Sequence, residues 1–362
     1  MAGTVLGTNP DTDLRAGSLE EELRLVGQLV EASLPLWPLP AGAEARLLNI
    51  AENLTWLIRA GAFRAVLRVH RPGYHSRRGI GQELAWSQAL AREAGIDTPA
   101  PIAGVNGELV QEGSVPGLGP RHMVLFEFAP GRQPDEDEDL VAPFHTLGAI
   151  AARTHLHAQG WAAGEDLERL VWDEDAVFGA GATWGDWRDA PNVTPEICVV
   201  LEAVEALLRQ RLALWGKGRA RYGLIHGDMR LANLLISEGR TVLIDFDDSG
   251  LGWYLYDFAA AISFMEDHPQ VPALRAAWTE GYRGVAPLSD EEEREIDTFV
   301  MLRRMALLAW IGSHIEAPEP RAMAPHFAEG TARLGRIWLA GGSVTGLPAP
   351  GLTSDPLAAP GG

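Results

Sequence analysis

Apolar positions in LEEELRLVGQLVEAS (residues 19–33) recur every three or four residues, which predicts an amphipathic helix. The pattern then shortens. ARLLNIAENLTWLIRA (45–60) and RAVLRVHRPG (64–73) read as strands joined by a tight hairpin at Gly61–Phe63. GIGQELAWSQALAREAG (79–95) returns to helical spacing and stops at Gly95. APIAGVNGELVQE (100–112) and RHMVLFEFAPG (121–131) each read as a strand. Residues 45–130 therefore predict a sheet with one helix inserted after its third strand.

Beyond the Pro130, Gly131 and Pro134 cluster the spacing becomes mainly helical. Helical runs are expected at 144–160, 195–216, 253–267, 272–284 and 289–316. The last opens with Ser289 and Glu292 at capping-box spacing. The expected division is a loose N-terminus at 1–17, a first lobe at 18–129, a second lobe at 130–340 and a disordered tail at 341–362. That tail is rich in Gly, Pro, Ser and Thr, too poor in apolar residues to form a core.

Composition narrows the class. The 362 residues are 46% hydrophobic and 22% charged, the profile of a soluble globular chain. A single cysteine, Cys198, closes no internal disulfide, and no leader pattern opens the chain, so the cytoplasm is the expected compartment. A net charge of −19 repels nucleic acid and anionic membranes and favours a cationic small molecule. Part of the excess sits in PDEDEDL (134–140), which reads as a solvated loop. The only lysine is Lys217, which a compositional bias toward arginine explains.

The chemistry concentrates in LIHGDMRLANLLISEGRTVLIDFDD (224–248). Asp228 follows an apolar strand and a glycine. Asn233 lies five residues later, and Asp245 ends a second short apolar run twelve residues after that. Two strands turning at Ser237–Arg240 would bring Asn233 and Asp245 to the end where Asp228 sits. Phosphoryl transfer asks for this set. One carboxylate accepts the hydroxyl proton, while an amide oxygen and a second carboxylate hold Mg2+ against the phosphates of ATP. Protein kinases space their catalytic Asp, Asn and metal-binding Asp in the same order.

The front half offers the remaining parts. Arg68 on the third strand and Glu83 on the following helix occupy the places of a phosphate-binding cation and its acidic partner, with arginine where lysine is usual. Asn53 and Thr55, in the turn NIAENLTW, are candidates to approach the phosphates. Glu127 to Ala129 are the candidate hinge whose backbone would meet the adenine edge. His155 and His157 are two apart on a helix, which turns them to different sides and argues against a metal pair. WGDWRD (184–189) is either an acceptor wall or packing under a long loop.

These motifs resemble the aminoglycoside phosphotransferase and choline kinase superfamily, with IHGDMRLANLL and LIDFDDSGLGWYLYDFA carrying the similarity. AENLTW, LRVHRPGYHS and EAGIDTPAPI look like its stress-response-kinase and homoserine-kinase-like members. The resemblance spans about residues 45–315. It implies an α+β, bilobal, protein-kinase-like fold: an N-terminal antiparallel sheet with one inserted helix and a larger, mostly helical C-terminal lobe. It also implies an ATP- and Mg2+-dependent kinase. Asp228 would be the catalytic base, Asn233 and Asp245 the metal ligands, and His226 and Asp257 supports of the loop. Asp247 and Asp248 would face metal, acceptor or solvent. The absence of a protein-kinase activation loop after Asp245 favours a small acceptor (an amino alcohol, hydroxy amino acid, sugar or aminoglycoside) over a protein Ser or Thr. The departure at Arg68 keeps a non-catalytic nucleotide-binding module as the alternative.

Overall fold

A computed structural model of the chain describes residues 16–50, 53–161, 166–237 and 239–346. Residues 1–15 and 347–362 of the two expected loose ends lie outside the described residues, as do Ala51 and Glu52 of the NIAENLTW turn.

The architecture is bilobal and α+β, as the motifs implied. α1 (Ala16–Ser33) starts two residues before the expected lobe boundary. β1 (Glu44–Ile50), β2 (Leu54–Ala60) and β3 (Phe63–Val69) form an antiparallel meander. The β2–β3 hairpin turns on Gly61, whose φ of +59° a side chain would resist. α2 (Arg77–Glu93) follows, its N-terminus capped by the Ser76 hydroxyl, which accepts from the Gly79 amide at 3.0 Å.

The strand expected over 100–112 is instead two, β4 (Pro101–Ile102) and β5 (Gln111–Val115), both paired with the long β6 (Leu118–Glu127). The break is a turn through Gly104 and Gly107, where the Gly107 amide donates to the Gly104 carbonyl and Gly107 takes a φ of +83°. Period-two alternation assigns the sheet's faces. Ala65, Leu67 and Val69 of β3 pack with Val26, Leu29 and Val30 of α1. The opposite face carries Val124, which packs against Ile80 and Leu84 of α2. Arg68, between Leu67 and Val69, is thereby aimed at α2.

The second lobe is built on helices α3 (Val141–Gly160), α5 (Pro195–Trp215), α7 (Val271–Arg283), α8 (Asp290–Ser313) and α9 (Pro318–Leu339), with the short α4 (Glu174–Phe178) and α6 (Tyr256–Ala261). α3 and α7 lie close because Gly148 and Gly281 are at their contact. A Cβ on either would collide with the Trp278 or the His145 carbonyl. α8 is buried on every side from Ile296 to Ile311, and its capping box forms between Ser289 and Glu292. Among the described residues no helix is long and apolar enough to cross a membrane.

Two features depart from expectation. A three-stranded sheet of β7 (Leu170–Trp172), β11 (Gly250–Trp253) and β8 (Tyr222–Ile225) lies inside the helical lobe, with β7 and β11 parallel. β7 and β11 are short, and two of the four residues of β11 are glycines, so neither carries an alternating signal. The expected tail also begins too early. Val344 and Thr345 are buried, and the Thr345 hydroxyl donates to Asp297 at 2.6 Å, a carboxylate that also holds Arg275.

Candidate active site

β8 delivers the chain to His226, Gly227 and Asp228. Gly227 has a φ of +80°, and a Cβ there would strike the Asp248 carbonyl, so the loop requires glycine. Asp257, at the start of α6 and fully buried, accepts from the Gly227 amide at 2.8 Å and the His226 amide at 3.2 Å. It also bonds His155 Nε2 at 2.9 Å. His155 is therefore a buried support, and His157, on the other side of the helix, meets Glu93. His226 Nδ1 accepts from the Asp228 amide, so Nε2 carries the proton and donates to the Ile244 carbonyl at 3.2 Å. Burial holds this imidazole below its usual pKa, hence neutral.

Asp228 is the most heavily ligated carboxylate of the cleft. Arg303 Nη2 donates to Oδ1 at 2.7 Å, Asn233 Nδ2 to Oδ2 at 2.7 Å, and Arg230 Nε to Oδ2 at 3.3 Å. Burial alone would raise its pKa. The Arg230 and Arg303 guanidinium groups outweigh it and hold the carboxyl below the usual range. Arg303 also donates to the Gly227 carbonyl at 3.2 Å and lies against Ser263 and Tyr256, so it grips both the loop and its acid. The sequence reading missed both arginines. The trace of Arg303 is in MLRRMALLAW (301–310), where adjacent arginines inside an apolar run signal buried partners. Arg304, next along, pairs with Glu266 at 2.6 Å.

β9 (Leu234–Ser237) and β10 (Arg240–Leu243) form the anticipated hairpin. The Ile244 amide donates to the Asn233 carbonyl at 3.0 Å, which closes the hairpin's base and sets Asp245 beside Asn233. Asp245 holds a φ of +60°, a conformation uncommon for a residue with a side chain. Its carboxylate is half exposed to the cleft and meets Arg68 Nη1 at 3.2 Å. Desolvation by the cleft walls pushes its pKa up to about 6, with Asp247, Glu83 and Asp228 adding repulsion against the attraction of Arg68.

Arg68 pairs with Glu83 at 2.5 Å, as the strand-and-helix spacing predicted. Lys217, the one lysine, sits instead against Asp173 and the Tyr222 and Trp253 rings, so no lysine serves this cleft. Asp247 is buried. Asn53 Nδ2 donates to its Oδ2 at 2.8 Å, and His70 and His75 each lie 3.5 Å from Oδ1. Burial would raise this carboxyl, but His70 and Arg68 hold it well below the usual range. Asp248 receives the Tyr74 hydroxyl at 2.8 Å. Neither carboxylate is merely solvated. Both clasp the β3–α2 segment to the loop after Asp245. Arg169, a further residue the sequence did not flag, ties that loop through the carbonyls of Phe246, Asp247 and Ser249.

A cavity of about 480 Å3 joins these parts. One half is lined by Asn53, Thr55, Arg68, Asp245 and Asp247, the other by Trp184, Asp228, Arg230, Phe264, Trp310 and Glu319. Trp184 therefore reaches the cleft, while Trp187 packs inside with its indole on Glu205 at 3.0 Å. The candidate hinge is not brought into this cleft. The Glu127 amide is spent on the Ala100 carbonyl at 2.8 Å, and Glu127 and Ala129 line a separate cavity of about 240 Å3 with Asp97 and Arg240.

Known proteins resemble this chain in sequence and in fold. The sequence model of the phosphotransferase enzyme family matches residues 44–295. The solved structure of a microcompartment-associated aminopropanol kinase superposes with a TM-score of 0.79 at 37% identity, covering 86% of this chain and 97% of that one. An amicoumacin kinase in complex with AMP-PNP and Ca2+ gives 0.70 at 23% identity, over 87% and 96% of the two chains, a likeness of fold. A homoserine kinase of Gluconobacter oxydans is 26% identical over 68% of this chain and 74% of its own length.

Proposed function

Since this chain belongs to the phosphotransferase enzyme family and is a small-molecule kinase, we propose that it moves the γ-phosphate of ATP to a hydroxyl of a small, charged acceptor in a magnesium-dependent reaction. The observation that carries the reading is the ligation of Asp228. Two guanidiniums and an amide keep it ionised and immobile at the wall between the two halves of the cavity.

In this reading Asp228 accepts a hydrogen bond from the acceptor hydroxyl and aims its oxygen at the γ-phosphorus. The O–P bond forms as the bond to the ADP oxygen breaks, and the hydroxyl proton passes to Asp228. A base held below the ordinary carboxyl pKa takes that proton late, as suits a loose transition state in which the attacking oxygen gains little positive charge until bond formation. Asn233 has its amide hydrogens on the Asp228 backbone and side chain, which leaves its oxygen to ligate a metal. With Asp245 it forms a hard oxygen set of the kind Mg2+ takes alongside phosphates and water. Desolvation, with repulsion from Asp247, Glu83 and Asp228, pushes Asp245 up to about 6 against the pull of Arg68, and a bound divalent cation would favour its charged form. Bound Mg2+–ATP would supply the phosphoryl group and neutralise charge between its phosphates. Arg68, braced by Glu83, is the cation for the phosphates, and Thr55 faces the same half of the cavity.

The kinship with aminopropanol and homoserine kinases favours an acceptor carrying an amine. Phosphate transfer to a panel of small alcohols, with and without Mg2+, tests the reading. Metal-dependent ADP release that requires an acceptor supports it, and none across the panel refutes it.

A further inference from the structure

Arg230 is placed between two carboxylates. Its Nε meets Asp228 Oδ2 at 3.3 Å and its Nη1 meets Glu319 Oε1 at 3.0 Å. Glu319 lies at the start of α9, on the segment Ala317–Pro320 that borders the acceptor half of the cavity. Arg230 is about one-quarter exposed and Glu319 about one-half, both toward that space (26% and 46%). Arg303 differs, being 3% exposed and committed to Asp228, Gly227, Ser263 and Tyr256. The acceptor half thus pairs two acids, Asp228 and Glu319, with two bases, Arg303 and Arg230, beside Asp248, which also lines the cavity and holds the Tyr74 hydroxyl; of these ion pairs Arg230–Glu319 is the more exposed. Phe264, Trp184 and Trp310 supply the apolar walls.

An internal ion pair at a pocket wall sets what the pocket accepts. A lone ammonium would take Glu319 from Arg230 and leave the guanidinium sharing Asp228 with Arg303. A lone carboxylate would take Arg230 and strand Glu319. A ligand carrying both charges exchanges one internal pair for two external ones and leaves no charge uncompensated. The geometry points to Arg230 and Glu319 as the specificity pair of the acceptor site, tuned to a small hydroxy amino acid with its ammonium on Glu319 and its carboxylate on Arg230. The inference rests on the kinase reading above. It adds that the acceptor is zwitterionic rather than a simple amino alcohol, and it names the residues that make the distinction.

The test uses three acceptors with the same hydroxyl-bearing arm: homoserine, the amino alcohol left when its carboxylate is removed, and γ-hydroxybutyrate, left when its amine is removed. Values of kcat/KM are measured for the full-length wild type, Arg230→Gln, Arg230→Lys and Glu319→Gln. Wild type should favour homoserine over both truncated compounds by about tenfold or more, the selectivity of sites that leave a polar partner unpaired with the wrong ligand. Glu319→Gln should cut the preference over γ-hydroxybutyrate about tenfold. Arg230→Gln lowers kcat for every acceptor through its contact with Asp228. The informative change is an additional fall of about tenfold in the homoserine-to-amino-alcohol ratio, partly restored by Arg230→Lys. Equal or better use of the amino alcohol by wild type, or ratios indifferent to both substitutions, overturns the assignment while leaving the kinase intact. Turnover of an uncharged alcohol alone also overturns it. Failure to phosphorylate any alcohol sinks the underlying reading instead.

Discussion

Replacing Arg303 with methionine removes the guanidinium and keeps much of the side chain's volume. Arg303 Nη2 lies 2.7 Å from Asp228 Oδ1, and the two side chains are 3% and 13% exposed. Taking the charge centres about 4 Å apart at an effective dielectric near 20, their attraction is about 4 kcal/mol. At about 1.4 kcal/mol per pH unit this bounds the rise in the Asp228 pKa at about 3 units. Arg230 remains, so a rise of about 1–3 units is the expected range. In the wild type the Asp228 carboxyl is depressed. Its contribution to stability is full above the ordinary carboxyl pKa and is lost as the pH falls through the depressed value. In Arg303→Met that contribution shrinks, and a rise that carries the carboxyl above its ordinary value inverts the sign, with stability then falling as the pH rises. The cost should be about 3–5 kcal/mol at pH 8, the range for one buried charge left without its partner, and smaller at pH 5. Urea denaturation at both values reads this. The kinetic companion is the pH profile of kcat with metal and nucleotide saturating, which holds Asp245 ionised and isolates Asp228. The acid limb of Arg303→Met should move up by about 1–3 units and return most of the way in Arg303→Lys. An unmoved limb, or an equal loss of stability at both pH values, would refute the argument that Arg303 sets the charge of Asp228.

Other outcomes follow from the same geometry. Because Asp245 is raised to about 6, its penalty on stability grows as the pH rises from the ordinary carboxyl pKa to that value and is full above it, and Asp245→Asn should raise the metal-free Tm more at pH 8 than at pH 5. The same shift predicts that Mg2+ lifts the wild-type Tm more at pH 8 than at pH 5 and does nothing for Asp245→Asn. Asp257→Leu strands the His226 and Gly227 amides and should cost about 4 kcal/mol in chemical denaturation, with Asp257→Asn milder. Gly281→Ala forces α7 off the His145 carbonyl and should cost about 2 kcal/mol or more, with no change in KM.

Much of this site is written in local patterns. Asp228, Asn233 and Asp245 come from one stretch, so their meeting needs only a short hairpin, and alternating apolar residues predict hairpins well. Arg68 and Glu83 were also legible, because strand alternation and helix spacing fix where each points. Partners from distant elements were harder to read. Arg303 reaches Asp228 across 75 residues and Arg169 reaches the loop at 246–249 across nearly 80, and no local period encodes such a meeting. Their trace is charge inside an apolar run, which marks burial without naming the partner. Asn53 was expected near phosphates because it lies in a turn. Its side chain lines the Arg68 half of the cavity, held there by Asp247, 194 residues away, and by the Arg71 amide. The hinge residues, too, carry a contact that their position does not reveal. Position in the chain located Glu127 correctly between the lobes, but only the fold reveals that its amide is already taken by Ala100.

The measurement closest to the central claim is ADP release by the full-length wild type and Asp228→Asn, each with Mg2+–ATP and the acceptor that wild type prefers. Asparagine keeps the shape and the contact with Asn233 while losing the charge that orients the hydroxyl and takes its proton. Acceptor-dependent turnover should fall by at least about a hundredfold, the usual scale for a general base, while nucleotide affinity measured by calorimetry stays within about threefold. Turnover in Asp228→Asn equal to wild type would contradict the account.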